Sequence, residues 1–254
     1  MTTARLVLRQ ISYENRSFWR NPAAAFFTFV FPLFFLVIFT TTFGNDSIEQ
    51  FGKRVTGATF YVPAIAAFAI ISACYTNLAM TMSLARDRGS LKRIRGTPLP
   101  AVAYLSARVG HAALIAALLT VIVVLFGAIF YDVTVPSTTL PAFVLTFLLG
   151  AATFSALALA VTTVVPNADA APGIINFTVL PLLFVSGYFF PVPAVLETIS
   201  AFFPAQPFLE AMSASFNPFE DGSGFRGTKL LVLGIWGALG LLIAVKRFSW
   251  EPRR

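Results

Sequence analysis

Six long stretches of this 254-residue chain are apolar and carry no charge through their middles. They run from Ala23 to Phe43, Phe60 to Leu84, Val109 to Tyr131, Leu140 to Val165, Pro172 to Phe190 and Leu230 to Val245. Most match the roughly 20 residues a helix needs to cross a hydrocarbon core of about 30 Å. The last is short, and its helix is expected to begin nearer Phe225. Only 11% of the residues are charged, against about 25% in soluble domains, too few to cover a water-facing surface. The runs are continuous rather than alternating, which favours helices over a membrane β-barrel. The expected fold is an all-α polytopic membrane protein with six transmembrane helices, forming a single polytopic membrane domain over residues 1–254.

The chain does not open as a cleavable signal peptide would, because polar and amphipathic residues precede the first apolar run. Along residues 1–22, Arg5, Arg9, Arg16 and Arg20 fall within an arc of about 60° on a helical wheel. Val7, Ile11 and Phe18 cluster on the opposite side, with Ala4 and Leu8 beside them. That pattern predicts an N-terminal helix lying in the membrane interface, ended by Pro22.

Basic residues set the expected orientation. With six crossings, the N-terminal arginines share one side with Arg86, Arg88, Lys92, Arg93, Arg95 and Arg108, and with Lys246, Arg247, Arg253 and Arg254. Only Lys53, Arg54, Arg226 and Lys229 remain for the other side. The positive-inside rule then places both termini in the cytoplasm of a multi-pass plasma-membrane protein. The net charge of +7 follows the flanks of apolar runs, so nucleic acid is not an expected partner, whereas membrane lipid is.

Several function classes are disfavoured. No charged residue sits mid-span, as proton-coupled carriers, charged channel filters and voltage sensors require. His111 stands at the mouth of the third span with no acid or nucleophile close in sequence, so it reads as an interfacial polar residue. An intramembrane enzyme would need His111 or a carboxylate such as Asp169. No metal-ligand spacing and no Gly-rich phosphate loop is present. The lone Cys74 lies inside an apolar run and is expected to pack there. Polar uncharged groups at Ser72, Tyr75, Thr76, Asn77 and Asn176 are candidates for a substrate path, or for hydrogen bonds between helices.

Two segments stand apart from the spans. Residues 190–225 are mostly apolar but broken by Pro191, Pro193, Pro204, Pro207 and Pro218, leaving pieces too short to cross. Such pieces, carrying Glu197 and Glu210, read as re-entrant outer helices between the fifth and sixth spans. Residues 85–100 form the densest patch of charge in the chain. There Asp87, Arg88, Gly89, Ser90 and Leu91, then Ile94, Arg95, Thr97, Pro98 and Leu99, resemble the loop motif of ABC exporter permeases of the type-2 class. Phe184, Ser186, Gly187, Phe190, Pro191, Pro204 and Pro207 resemble that family's second signature.

The resemblance covers nearly the whole chain and implies a half-transporter. Two such subunits pair, as a homodimer or heterodimer, and each docks a cytoplasmic ABC ATPase that carries the ATP and Mg. The chain itself would hold no cofactor and no catalytic site. By position, Asp87, Arg88, Gly89, Ser90, Leu91, Ile94 and Arg95 would belong to the coupling helix, with Leu91 and Ile94 on one face. The sequence departs from the family where Ala85 and Lys92 replace frequent acids. The expected function is bacterial multidrug-type export of a hydrophobic or amphipathic drug, antibiotic or lipid. A polysaccharide or wall-polymer exporter is the family alternative, and a carrier or scaffold independent of ATP is the other.

Overall fold

The computed structural model describes residues 3–44, 46–50, 53–190, 192–216 and 222–251. Pro191, Pro218, Arg253 and Arg254 lie outside the described residues. Eleven helices and one short hairpin make up the described chain. α1 (Thr3–Trp19) leads into α2 (Pro22–Phe43), the hairpin β1 (Ser47–Gln50) and β2 (Lys53–Thr56), then α3 (Gly57–Ile71). A π-helical stretch, Ser72–Asn77, joins α3 to α4 (Leu78–Asp87), and the three form one uninterrupted helix, Gly57–Asp87. There follow α5 (Ser90–Arg95), α6 (Ala101–Tyr131), α7 (Leu140–Val161) and α8 (Ala171–Val185), and then α9 (Ala194–Ser200), α10 (Ala205–Phe216) and α11 (Gly227–Arg247).

Five of these are long and apolar enough to cross a membrane: residues 25–43 of α2, Gly57–Asp87, α6, α7 and α11. The chain is therefore a multi-pass membrane protein by length and composition. The fifth apolar run folds as the 15-residue α8, about 22 Å long at 1.5 Å per residue. It stops at Val185 because the Ser186 hydroxyl donates to the Leu183 carbonyl (2.5 Å) and Gly187 turns the chain at φ 77°. Only glycine adopts that conformation at little cost.

Among the described residues the hairpin is the one pair of strands in an otherwise helical fold. It pairs antiparallel with Glu49 opposite Arg54 and Ile48 opposite Val55, so opposite charges meet on one face and apolar side chains on the other. Val55 is buried, and Ile48 packs on the core. The sequence reading passed over this stretch because each strand is only four residues long.

Burial orders the spans. The Gly57–Asp87 helix is 78% buried along its apolar window, whereas α2 and α11 are 22% and 17% buried. The first is thus the central column and the others face outward. Alanine makes the centre possible: Ala64, Ala66, Ala67 and Ala69 are all fully buried, letting neighbouring backbones approach. Gly127 leaves room for Val62, and Gly237 and Gly240 seat α11 on Thr153 and on the Ala156–Leu157 backbone. The hydroxyl of Thr153 donates to the Leu233 carbonyl across that seam (3.0 Å).

α1 packs on α6, with Ile11 over Gly110. Its Arg5, Arg9, Arg16 and Arg20 are exposed, while Val7, Ile11 and Phe18 are half-buried, as the wheel predicts. Leu8 departs from that wheel and is exposed. Trp250 packs against Tyr104, so α1, α5, the start of α6 and the chain's C-terminal segment gather at one end. The hairpin, α9 and the first turns of α7 and α11 gather at the other.

Candidate functional site

The loop with the densest charge is built from inside outward. The helix Gly57–Asp87 ends at Arg88, Gly89 turns the chain at φ 69°, and α5 follows. Within α5, Leu91 is fully buried and Ile94 packs half-buried against the core. Asp87, Arg88, Lys92, Arg93 and Arg95 point outward and are exposed. Gly89 and Ser90 are half-buried at the turn. Leu91 and Ile94 do share a face, and that face is turned to the chain's own core. The Thr97-Pro98-Leu99 stretch closes the helix: the Thr97 hydroxyl donates to the Ile94 carbonyl (2.6 Å) and accepts from the Leu99 amide.

Arg86 behaves differently from the other basic residues of this loop. The sequence groups it with the orientation charges, yet it is 2% exposed. Its guanidinium donates to the Thr162 carbonyl (2.6 Å) and to the Val165 carbonyl. Those carbonyls follow the last turn of α7, where a helix leaves acceptors unpaired and carries partial negative charge. A planar fork holds both in one fixed geometry, whereas a lysine ammonium would reach them only as a point charge on a flexible stem. Arg86 therefore pins the end of α7 to the root of the α5 loop. Periodicity gave no warning of this, because the partners are backbone atoms 76 and 79 positions away.

The proposed path residues do not converge on one cavity. Tyr75 faces a cleft of about 330 Å³ among α7, α8 and α11, where its hydroxyl meets the Thr178 hydroxyl at 2.6 Å. That cleft is almost wholly apolar, walled by Phe154, Leu182, Phe203 and Trp236. Asn77, two positions further on, opens into a separate polar cleft of about 190 Å³ beneath α1. Ser72, Thr76 and Asn176 are half-buried and line neither. Cys74 is buried in the core, as expected. A third cavity, about 220 Å³, lies among phenylalanines of α2, α3 and α8 and the turn after it, Phe31, Phe35, Phe68, Phe184 and Phe189 among them.

Around the polar cleft the fold supplies what sequence neighbours did not. Glu14 of α1 is buried and pairs with Arg108 of α6 at 3.0 Å. His111 lines the same cleft, so an acid does stand nearby, contributed by a helix almost a hundred residues earlier. The hydroxyls of Ser17 and Thr81 line the cleft too, but His111 Nε2 hydrogen-bonds to neither.

At the opposite end, Pro204 and Pro207 are buried, Glu197 is exposed on α9, and Glu210 pairs with Lys229 at 2.8 Å. α10 is buried along nearly its whole length. Phe208 fills the space that Gly150 leaves open and packs on Phe154 with ring centroids 5.3 Å apart. Trp236 donates its indole N–H to the Phe202 carbonyl (2.7 Å) and stacks on Phe203. The Ser200 hydroxyl donates to the Gln206 side chain, tying α9 to α10. The Thr139 hydroxyl donates to the Ser215 carbonyl at the head of α7.

A family model described as ABC-2 type transporter matches residues 6–217, which include α5, α8, α9 and α10. No curated protein gives a significant match to the sequence.

Proposed function

The chain belongs to the ABC-2 type transporter family, whose members are membrane transport components of ABC exporters rather than catalysts, and from that membership we propose how it works. It is the permease subunit of an ATP-driven exporter, paired with a second permease subunit and with a separate ATPase that holds ATP and Mg. Both termini and the α5 loop face the cytoplasm, as the distribution of Lys and Arg supports. α8 makes the remaining crossing, extended by the turn through Phe189 and Phe190, to give six.

The architecture of α5 is the observation that carries this reading. Leu91 fixes the helix to the bundle, Arg86 ties its root to α7, and Arg88, Lys92, Arg93 and Arg95 remain outward. A docked ATPase that shifts α5 would thus move the central column and α7 together. The basic outer face fits an acidic surface on the ATPase, because complementary potentials guide such encounters and fix register. The two apolar cavities favour a hydrophobic or amphipathic cargo over a polysaccharide.

Depth supports the re-entrant reading of residues 190–225. Trp236 lies nine residues past Gly227 and Gly150 ten past Leu140, about 14 and 15 Å along their helices. The turn between α9 and α10 meets Trp236 through Phe202 and Phe203, and Phe208 in the first turn of α10 meets Gly150, so this part of the segment reaches half of a core about 30 Å thick. Backbone that is not continuous helix is tolerated at such depth only where protein covers it, and here α7, α3 and α11 do so.

The test is reconstitution with the cognate ATPase in liposomes. ATP hydrolysis stimulated by an amphipathic cargo, and cargo movement that needs ATP, are expected. Undiminished transport in the absence of any ATPase would instead mark a carrier independent of ATP.

A further inference from the structure

The polar cleft beneath α1 has no part in the coupling scheme, and its chemistry is specific. Its charges are already answered. One Glu14 carboxylate oxygen meets Arg108 and the other accepts from Gln10 (2.9 Å). Arg108 in turn donates through Nε to the Tyr104 hydroxyl (3.0 Å). The hydrogen-bonding capacity left over is neutral. His111 Nε2 is buried and has no hydrogen-bond partner among the described residues. The Asn77 amide and the Ser17 hydroxyl also line the cleft, and neither side chain makes a hydrogen bond among the described residues. Thr81 spends its proton on the Asn77 and Leu78 carbonyls and so offers only an acceptor.

Position adds a second constraint. Asn77 ends the π-helical stretch and lies ten residues before Asp87, about 15 Å up the helix from its α5 end. π-helical turns concentrate at functional sites because the extra residue re-aims the side chains around it. Here the stretch sends Tyr75 to one cavity and Asn77 to the other. Asn21 adds one more amide, which has a partner of its own, and the rest of the cleft wall is apolar, with Phe18 and Ile115 among it. The site therefore joins an uncharged hydrogen-bonding floor to apolar sides, in the half of the bundle that carries α5.

We propose that this cleft binds the uncharged, hydroxyl-rich head of an amphipathic molecule from the membrane leaflet. A net charge entering it would be desolvated without a partner, since the only opposite charges are bound to each other. Hydroxyls satisfy both kinds of leftover group, donating to His111 Nε2 or Thr81 and accepting from the Asn77 amide. The site needs no ATPase, so its test is separate from that of the transport reading.

The experiment uses the full chain in phosphatidylcholine nanodiscs with a photoactivatable monoglucosyl diacylglycerol as the probe. Crosslinks are expected on the stretches around Asn77 and His111. Their yield should fall about three- to tenfold in Asn77→Leu, the scale of one lost hydrogen bond. Ser17→Trp should do the same by filling the mouth from an exposed position that folding tolerates. Octyl glucoside should compete and free glucose should not, which distinguishes an amphipath from a soluble sugar. Phosphatidylglycerol competing as well as unlabelled glucolipid, glucose competing as well as octyl glucoside, or yields unchanged in both variants, would each overturn the proposal.

Discussion

Two short-helix segments interrupt the bundle, one at each end, and they are built on opposite plans. The α5 segment holds to the bundle through Leu91, with Ile94 half-buried beside it, and turns a row of basic side chains outward. The α9–α10 segment buries α10 almost completely, seats Phe208 against Gly150, and keeps few charges. One is a handle with a small root, the other a plug with a large one. A handle can move as a unit when it is gripped, because little buried area resists. A plug resists displacement in proportion to the apolar surface it hides. Under the function proposed above, the contrast would assign force reception to the α5 end and structural closure to the other.

Phe208→Ala should have the largest effect on folding, about 3 to 5 kcal/mol for an aromatic core truncation. It should lower the thermal midpoint of the purified chain while leaving ATPase assembly intact at permissive temperature. An equal loss of assembly would erase the distinction between the two ends. Arg86→Met leaves two carbonyls at the end of α7 without their donor, at about 1 to 3 kcal/mol for each buried group. Hydrolysis uncoupled from transport is expected with it, and Arg86→Lys should restore the two only in part. The ratio of cargo moved to ATP consumed is the readout, because a merely looser fold would lower both alike. Leu91→Ala, at a fully buried position, should cost roughly 2 to 4 kcal/mol and should free α5 to proteolysis before the rest of the chain. Lys229→Ala, which removes a partly exposed partner from Glu210, should cost about 1 kcal/mol or less.

What sequence could and could not show follows from the range of the interactions. Apolar runs and proline positions are local, so five of the spans and the break at Pro193 and Pro204 are legible in the sequence. The shared face of Leu91 and Ile94 follows from their spacing, but its turn toward the bundle does not. The burial of Arg86 was hidden because its partners are main-chain oxygens, which no residue type announces. The Glu14–Arg108 pair was hidden for a related reason: a single acid among the N-terminal arginines looks like solvated surface until α6 is packed beside it. Hydropathy alone overstates the length of α8, since Phe189 and Phe190 continue the apolar run after Gly187 has turned the backbone. The hairpin between α2 and α3 is too brief for alternation to register.

The central claim is that α5 is gripped by its basic outer face while its inner face holds it to the bundle. The direct measurement is charge reversal of that face, Lys92→Glu with Arg93→Glu, followed by co-purification with the cognate ATPase. Both side chains are exposed, and surface changes of this kind barely alter stability. The account predicts an unchanged thermal midpoint and loss of the ATPase from the complex. Retention of the ATPase, with cargo-stimulated hydrolysis at the level of the unaltered protein, would contradict it.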